Sequence, residues 1–241
     1  MDESEIRDRV RQEVHLELWR RRAELFPHSV STVADILPID LNIVSTNIYS
    51  LGVFDVAEIT PENPFITDAG FETAGFLDRE LHIIEISRKF PHACQRYTWA
   101  HELGHFALHP DLRQHRDLPL IGTEREHKGR QPPKEREADI FASELLMPAR
   151  PTRDIFLLAH LTPVDPLHAD EHLAYSLSRG TGRSVTVDRL QQEGQQGRRY
   201  RSRLLAETRN ARGHEVRPIS EIFDVSPEAM AIRLEELGLI F

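Results

Sequence analysis

Five residues, His101-Glu102-Leu103-Gly104-His105, constrain this chain more than any other stretch of it. Histidines four apart share one face of a helix, one above the other. Both imidazoles can then hold a single metal ion, with Glu102 in reach of a water on it. Two neutral nitrogens and a carboxylate leave one coordination position open, the catalytic form of a zinc site. Trp99, Ala100, Leu103, Phe106, Ala107 and Leu108 make the surroundings apolar, so the helix is at least partly buried. A histidine pair there needs a partner, because an unpaired buried polar group is costly. The plainer reading is two hydrogen-bonded core histidines.

The remaining ligand must come from elsewhere. The best candidate is Glu135-Arg136-Glu137-Ala138-Asp139-Ile140-Phe141-Ala142-Ser143-Glu144-Leu145-Leu146-Met147-Pro148. It has strong helix formers, no internal glycine or proline, and a proline stop. Glu135, Ala138, Asp139 and Ala142 share one face, and the two alanines let another helix approach closely. Glu135 is then the third metal ligand. Asp139, one turn on, can accept the free N–H of a ligating histidine. Glu137 lies about 200° around the helix from Glu135 and is the fallback ligand. The alternative for Glu135 is a solvated first-turn carboxylate favoured by the helix dipole.

His109 is again four residues on, but it precedes Pro110 at the helix end, where a dipole-complementing structural role is favoured. Residues 110–134 form a polar loop with Pro119, Gly122, Gly129, Pro132 and Pro133, and carry His115 and His127. Long loops of this kind serve as lids or binding loops, or are simply solvated; nothing in the spacing brings either histidine to the site. No oxyanion donor is evident, and Tyr97, His127 and His172 are the candidates. Cys94 is read as a buried inert thiol.

The chain has 241 residues, enough for one large domain or a domain with an appendage. It lacks a membrane-length apolar run and a secretory pattern at its acidic start. With Cys94 its single cysteine, a cytoplasmic protein is expected. The net charge of −9 disfavours broad nucleic-acid binding. Residues 4–26 read as an amphipathic helix with a stripe of Ile6, Val10, Val14, Leu18 and Leu25, ended by Pro27. Short helical patterns follow at 30–37 and 42–51. Turn signals at 68–70 and 78–80 bracket strand-like stretches within 65–87, which predict a small antiparallel sheet just before the metal helix. Helices are expected at 152–160 and 168–179, and a short strand within 183–190. The arginine-rich 192–218 suggests an anionic partner or, with its mixed glutamates, an exposed helix and linker. The tail from Ile219 reads helix, turn, helix, with Ser226 as N-cap, Pro227 next and Gly238 as stop. Its second helix carries Glu228, Glu235 and Glu236, so it would repel phosphate and suits packing or protein docking.

With both motifs placed, the chain resembles the ImmA/IrrE family of zinc metallopeptidases. The matching residues are Gln95-Arg96-Tyr97-Thr98-Trp99-Ala100-His101-Glu102-Leu103-Gly104-His105, then His109, then Glu135 through Pro148. Gly75-Phe76-Leu77-Asp78 with the strand at 82–86, and the tail from Phe223 to Ile240, also fit. The resemblance implies an α+β, mostly helical zincin-like domain with a small sheet, here placed at 30–160. Residues 1–29 form an N-terminal helix, and 161–241 a helical region ending in the helix-turn-helix-like tail. It implies Zn2+ on His101, His105 and Glu135, with Glu102 as general base. It also implies cleavage of a helix-turn-helix transcriptional repressor that controls stress-response or mobile-element genes. The family's longer members carry a sensor-like domain for which this chain has no room. Two other classes stay open: a non-catalytic module docking a repressor or toxin partner, and a DNA-binding regulator, which the acidic tail helix disfavours.

Overall fold

An apolar residue every fourth position drifts about 40° per step around a regular helix. The N-terminal stripe nevertheless stays on one face, because the helix changes its winding. Helix α1 (Glu3–Val10) passes into a π-wound segment (Arg11–His15), then α2 (Leu16–Arg20) and α3 (Arg22–Leu25). The wider turn cancels the drift, and Ile6, Val10, Val14 and Leu18 are all buried. Asp2 begins the run with a capping box, accepting from the Glu5 N–H while Glu5 accepts from the Asp2 N–H. These coordinates are a computed structural model, which describes residues 1–26, 30–56, 73–117 and 132–241. Pro27, the strand pattern at 65–72 and His127 lie outside the described residues.

A 3-10 turn (Val33–Ile36), α4 (Leu41–Ile43) and a second π-wound segment (Val44–Ile48) lead into the sheet. Strands β1 (Gly52–Val56), β2 (Gly75–Asp78) and β3 (Ile83–Ser87) precede the long helix α5 (His92–Leu108). Strand β4 (Gln114–Asp117) follows it, and α6 (Pro133–Leu146) completes this part. The order across the sheet is β1-β3-β2-β4. β2 runs antiparallel to β3, as expected of a hairpin with a tight turn, and antiparallel also to β4, which returns to it after α5. β1, however, pairs parallel with β3, from Gly52 opposite Ile83 to Val56 opposite Ser87. The sheet is therefore mixed rather than wholly antiparallel. The cause is connection length: a parallel pair needs a long crossover, and residues 57–82 provide one between β1 and β3. The β2–β3 turn is built by Asp78, whose carboxylate accepts from the N–H groups of Glu80 and Leu81 at 2.9 and 3.0 Å. Gln114 of β4 donates to the same carboxylate at 2.8 Å, tying β4 to the turn. These donors hold the Asp78 carboxyl below its ordinary range.

The chain divides into two compact units, Met1–Leu146 and Met147–Phe241. In the first, α5 packs on the sheet and on α6, and α1 lies against α6. Phe141, Leu145, Leu103, Leu77 and Ile84 are fully buried there.

The second unit begins with α7 (Ala149–His160), which starts directly after Pro148. Helix α8 (Glu171–Thr181) is capped by Asp170 and stopped by Gly182 at φ +69°, a left-handed conformation that glycine adopts without strain. The strand expected within 183–190 is absent. Ser178 of α8 instead takes both backbone groups of Val185, at 3.0 and 3.3 Å, and the one-turn α9 (Val187–Leu190) follows. A strand partner is unnecessary once those groups are satisfied. Helix α10 (Gly194–Glu207) carries most of the arginine-rich stretch, and the small hairpin β5 (Asn210–Ala211) with β6 (His214–Glu215) comes next. The tail is α11 (Ile219–Ile222) and α12 (Pro227–Glu236), with Ser226 accepting from the Ala229 N–H.

The anionic partner of the arginines is this tail. Arg199 donates to Glu228 at 2.7 Å and to both oxygens of Glu235 at 2.7 and 2.9 Å. Arg203 also pairs with Glu228, and Arg209 with Glu221. Arg201 and Arg233 are fully buried and donate to carbonyls: those of Leu190, Gln192 and Phe241 for the first, that of Met147 for the second. Much of α10 is thus buried or ion-paired, while Arg203, Arg209, Arg212 and Arg217 stay exposed.

His160, at the end of α7, packs its ring 4.8 Å from Phe156 beside an apolar groove of about 290 Å³. Burial pushes its imidazole down to about 4. The unfolded chain binds this proton more readily, so the neutral ring's contribution is complete above about 6.5 and fades as pH falls towards 4. Urea unfolding at stepped pH should show that loss, and His160→Phe should reduce its steepness across this window.

Candidate metal centre

Helix α5 presents His101, Glu102 and His105 on its inner face, and all three are buried. Helix α6 approaches so closely because Gly104 faces it without a side chain. A Cβ there would sit 3.1 Å from the Ala138 Cα, the Ala138 carbonyl oxygen and the Phe141 Cβ. Ala138 and Ala142 keep the facing surface small. The close contact brings Glu135, at the first turn of α6, over the histidine pair.

The distances define one cluster. His101 Nε2 lies 3.0 Å from His105 Nε2 and 3.2 Å from Glu135 Oε2. His105 Nε2 is 3.5 Å from Glu135 Oε1. Donors bound at about 2.0–2.1 Å to one tetrahedral ion stand roughly 3.4 Å apart, so this spacing suits such an ion. Among the described residues, His101, His105, His115 and Glu135 offer ligand atoms all within 4.8 Å of one another. The residue chemistry, three imidazoles and a carboxylate, fits a borderline divalent metal.

The other ring nitrogens are engaged as well. Asp139 Oδ1 stands 3.1 Å from His101 Nδ1 and also accepts from the Tyr97 hydroxyl at 3.0 Å. His105 Nδ1 lies 3.0 Å from His109 Nδ1, and His109 Nε2 lies 2.8 Å from Glu137 Oε2. Glu137, the fallback ligand from the sequence, therefore sits with His109 and the Met1 amine rather than in the cluster. The reason is its position around α6, half a turn away from Glu135. Of the oxyanion candidates, Tyr97 is spent on Asp139, and His172 is exposed on α8 of the second unit.

His115 is the residue that sequence spacing did not single out. It stands on β4, not in a loop, and β4 is set beside β2 by the pairing of Leu77 with His115. Its Nδ1 faces both oxygens of Glu102 at 3.0 and 3.1 Å, its Nε2 faces Glu135 Oε1 at 3.0 Å, and its ring stacks on His105 at 3.7 Å. Burial would lower its pKa, yet the two carboxylates outweigh this and raise it to about 9. The same imidazoles hold the Glu135 carboxyl well below its usual range against the opposing effect of burial, while burial lowers His105. Arg79 closes the end of α5, its guanidinium donating to the carbonyls of His105, Phe106 and His109, at 2.6–3.2 Å, and to that of Leu112. Nothing in the local sequence around Arg79 announces that role.

The helix contact at Gly104 is the part of this geometry easiest to test. Gly104→Ala should push α6 outward, lower stability by about 1–3 kcal/mol in urea unfolding, and weaken divalent-metal binding at least tenfold in a chelator competition.

Comparison with known proteins returns one family. No curated protein matches the chain. Among the described residues, no helix is long and apolar enough to cross a membrane. Residues 67–163, which span β2, β3, α5, β4, α6 and α7, match a peptidase family model described as the IrrE N-terminal-like domain, so that segment is similar to the ImmA/IrrE peptidases.

Proposed function

We propose that this protein is a zinc-dependent endopeptidase whose substrate is a helix-turn-helix transcriptional repressor, so that cleavage releases stress-response or mobile-element genes. The observation that carries the reading is the convergence of His101, His105 and Glu135 beside a fully buried Glu102. The family match supports peptidase chemistry. His101, His105 and Glu135 would hold the zinc, which supplies Lewis acidity towards a peptide carbonyl when bound. Glu102 takes a proton from the attacking water and passes it to the leaving amine as the C–N bond breaks. His115, whose Nδ1 faces both oxygens of Glu102, orients that carboxylate towards the water. Asp139 orients His101, and Tyr97 orients Asp139.

The proposed peptidase portion spans 30–160, with 1–29 packed as a helix and 161–241 as a helical appendage; the family match ending at residue 163 supports its far limit. A protein substrate rather than DNA is favoured because the arginines of α10 are paired with Glu228 and Glu235.

The decisive experiment incubates the zinc-loaded protein with the repressor encoded beside its gene. Discrete fragments are expected, and a chelator should prevent them. An intact repressor under conditions where zinc is bound would refute the assignment. Glu102→Gln should retain full zinc content and lose about 10²–10⁴-fold in turnover. His115→Gln should also keep its zinc but lower kcat.

A further inference from the structure

Two histidines of the cluster, His101 and His105, need the same tautomer. Each must offer its Nε2 lone pair inward, so each must carry its proton on Nδ1. His101 meets this condition through Asp139, a carboxylate 3.1 Å from its Nδ1. Among the described residues no carboxylate contacts the Nδ1 of His105, which is 0% exposed. It faces another imidazole instead, His109 Nδ1 at 3.0 Å. The far nitrogen of that imidazole, Nε2, lies 2.8 Å from Glu137 Oε2.

The protons along this row can be assigned in order. The Glu137 carboxylate accepts, so His109 donates from Nε2. A neutral His109 then keeps its lone pair on Nδ1, where it accepts from His105. His105 is left with its proton on Nδ1 and its lone pair on Nε2, 3.0 Å from His101 Nε2. His109 is buried and held at the end of α5, where Arg79 takes its carbonyl oxygen. Its ring is thus fixed for this task from both sides.

We propose that His109 and Glu137 are positioning residues that set the tautomer of His105, an imidazole-extended version of what Asp139 does directly for His101. The proposal rests on the reading of His101, His105 and Glu135 as metal ligands. It gives His109 a function beyond ending a helix, and gives Glu137 a place in the metal centre without contact to the ion.

Two measurements test it. In metal-free protein, long-range ¹H–¹⁵N correlation spectra report which nitrogen of His105 carries the proton. The Nδ1–H form is expected in the wild type and in His109→Gln, whose side-chain carbonyl still accepts. His109→Leu, which has no acceptor, should shift His105 towards Nε2–H. Competition with a chromophoric chelator for Zn2+ alone should show His109→Leu binding about 10- to 100-fold more weakly. His109→Gln should recover most of that loss, and Glu137→Ala should weaken binding by a smaller factor. If His109→Leu and His109→Gln lose affinity equally, or neither does, His109 contributes only packing and the proposal is overturned. A His105 found as Nε2–H in the wild type also overturns it. A wild type that fails to bind zinc at all would instead refute the metal centre itself, a distinct outcome.

Discussion

The closeness of α5 and α6 at Gly104 and Ala138 is the constraint on which the metal centre depends. A ligand set drawn from two helices works only if the helix axes come near enough for a short carboxylate to reach two imidazoles. Glu135 has three carbons beyond its backbone, and its oxygens lie within 3.2–3.5 Å of both Nε2 atoms. A side chain at position 104 would meet backbone, not a flexible tip that could swing away. Small residues here therefore trade buried apolar area for chemistry, since a larger pair would bury more surface but part the ligands.

Helices were legible in the sequence where apolar residues repeat, as at Ile6, Val10, Val14 and Leu18, or where caps are explicit, as at Ser226. The second motif was legible too: one helix turn separates Glu135 from Asp139, and the structure brings both to His101. What escaped was set by non-local pairing. β1 begins just past the helical pattern at 42–51 and drew no strand reading, because its parallel alignment with β3 depends on a partner some 30 residues away. β4 is four residues long and polar, so no periodicity marks it. His115 owes its place to that strand alone. The tautomer row through His109 was also hidden, because spacing shows that two histidines are neighbours and not what lies beyond the second.

Among the described residues, one helix supplies the acids that meet His101, His105 and His109. Glu135, Glu137 and Asp139 lie at alternate positions of α6. The first faces the cluster, the second His109, and the third His101. The proposed carboxylate ligand and the groups proposed to orient the histidines are thereby coupled to a single element. A shift of α6 along its axis would disturb all three together.

The pairing of α10 with α12 has a consequence for how the second unit meets its surroundings. Arg199, Arg203, Glu228 and Glu235 form contacts within one fold, so their charges close on each other over a few ångströms. Such a quadrupolar arrangement has almost no reach into solvent compared with the same arginines left alone. An isoelectric point tallies those residues as though each were visible from afar. At a distance of a nanometre these four charges therefore contribute little to what a diffusing molecule meets.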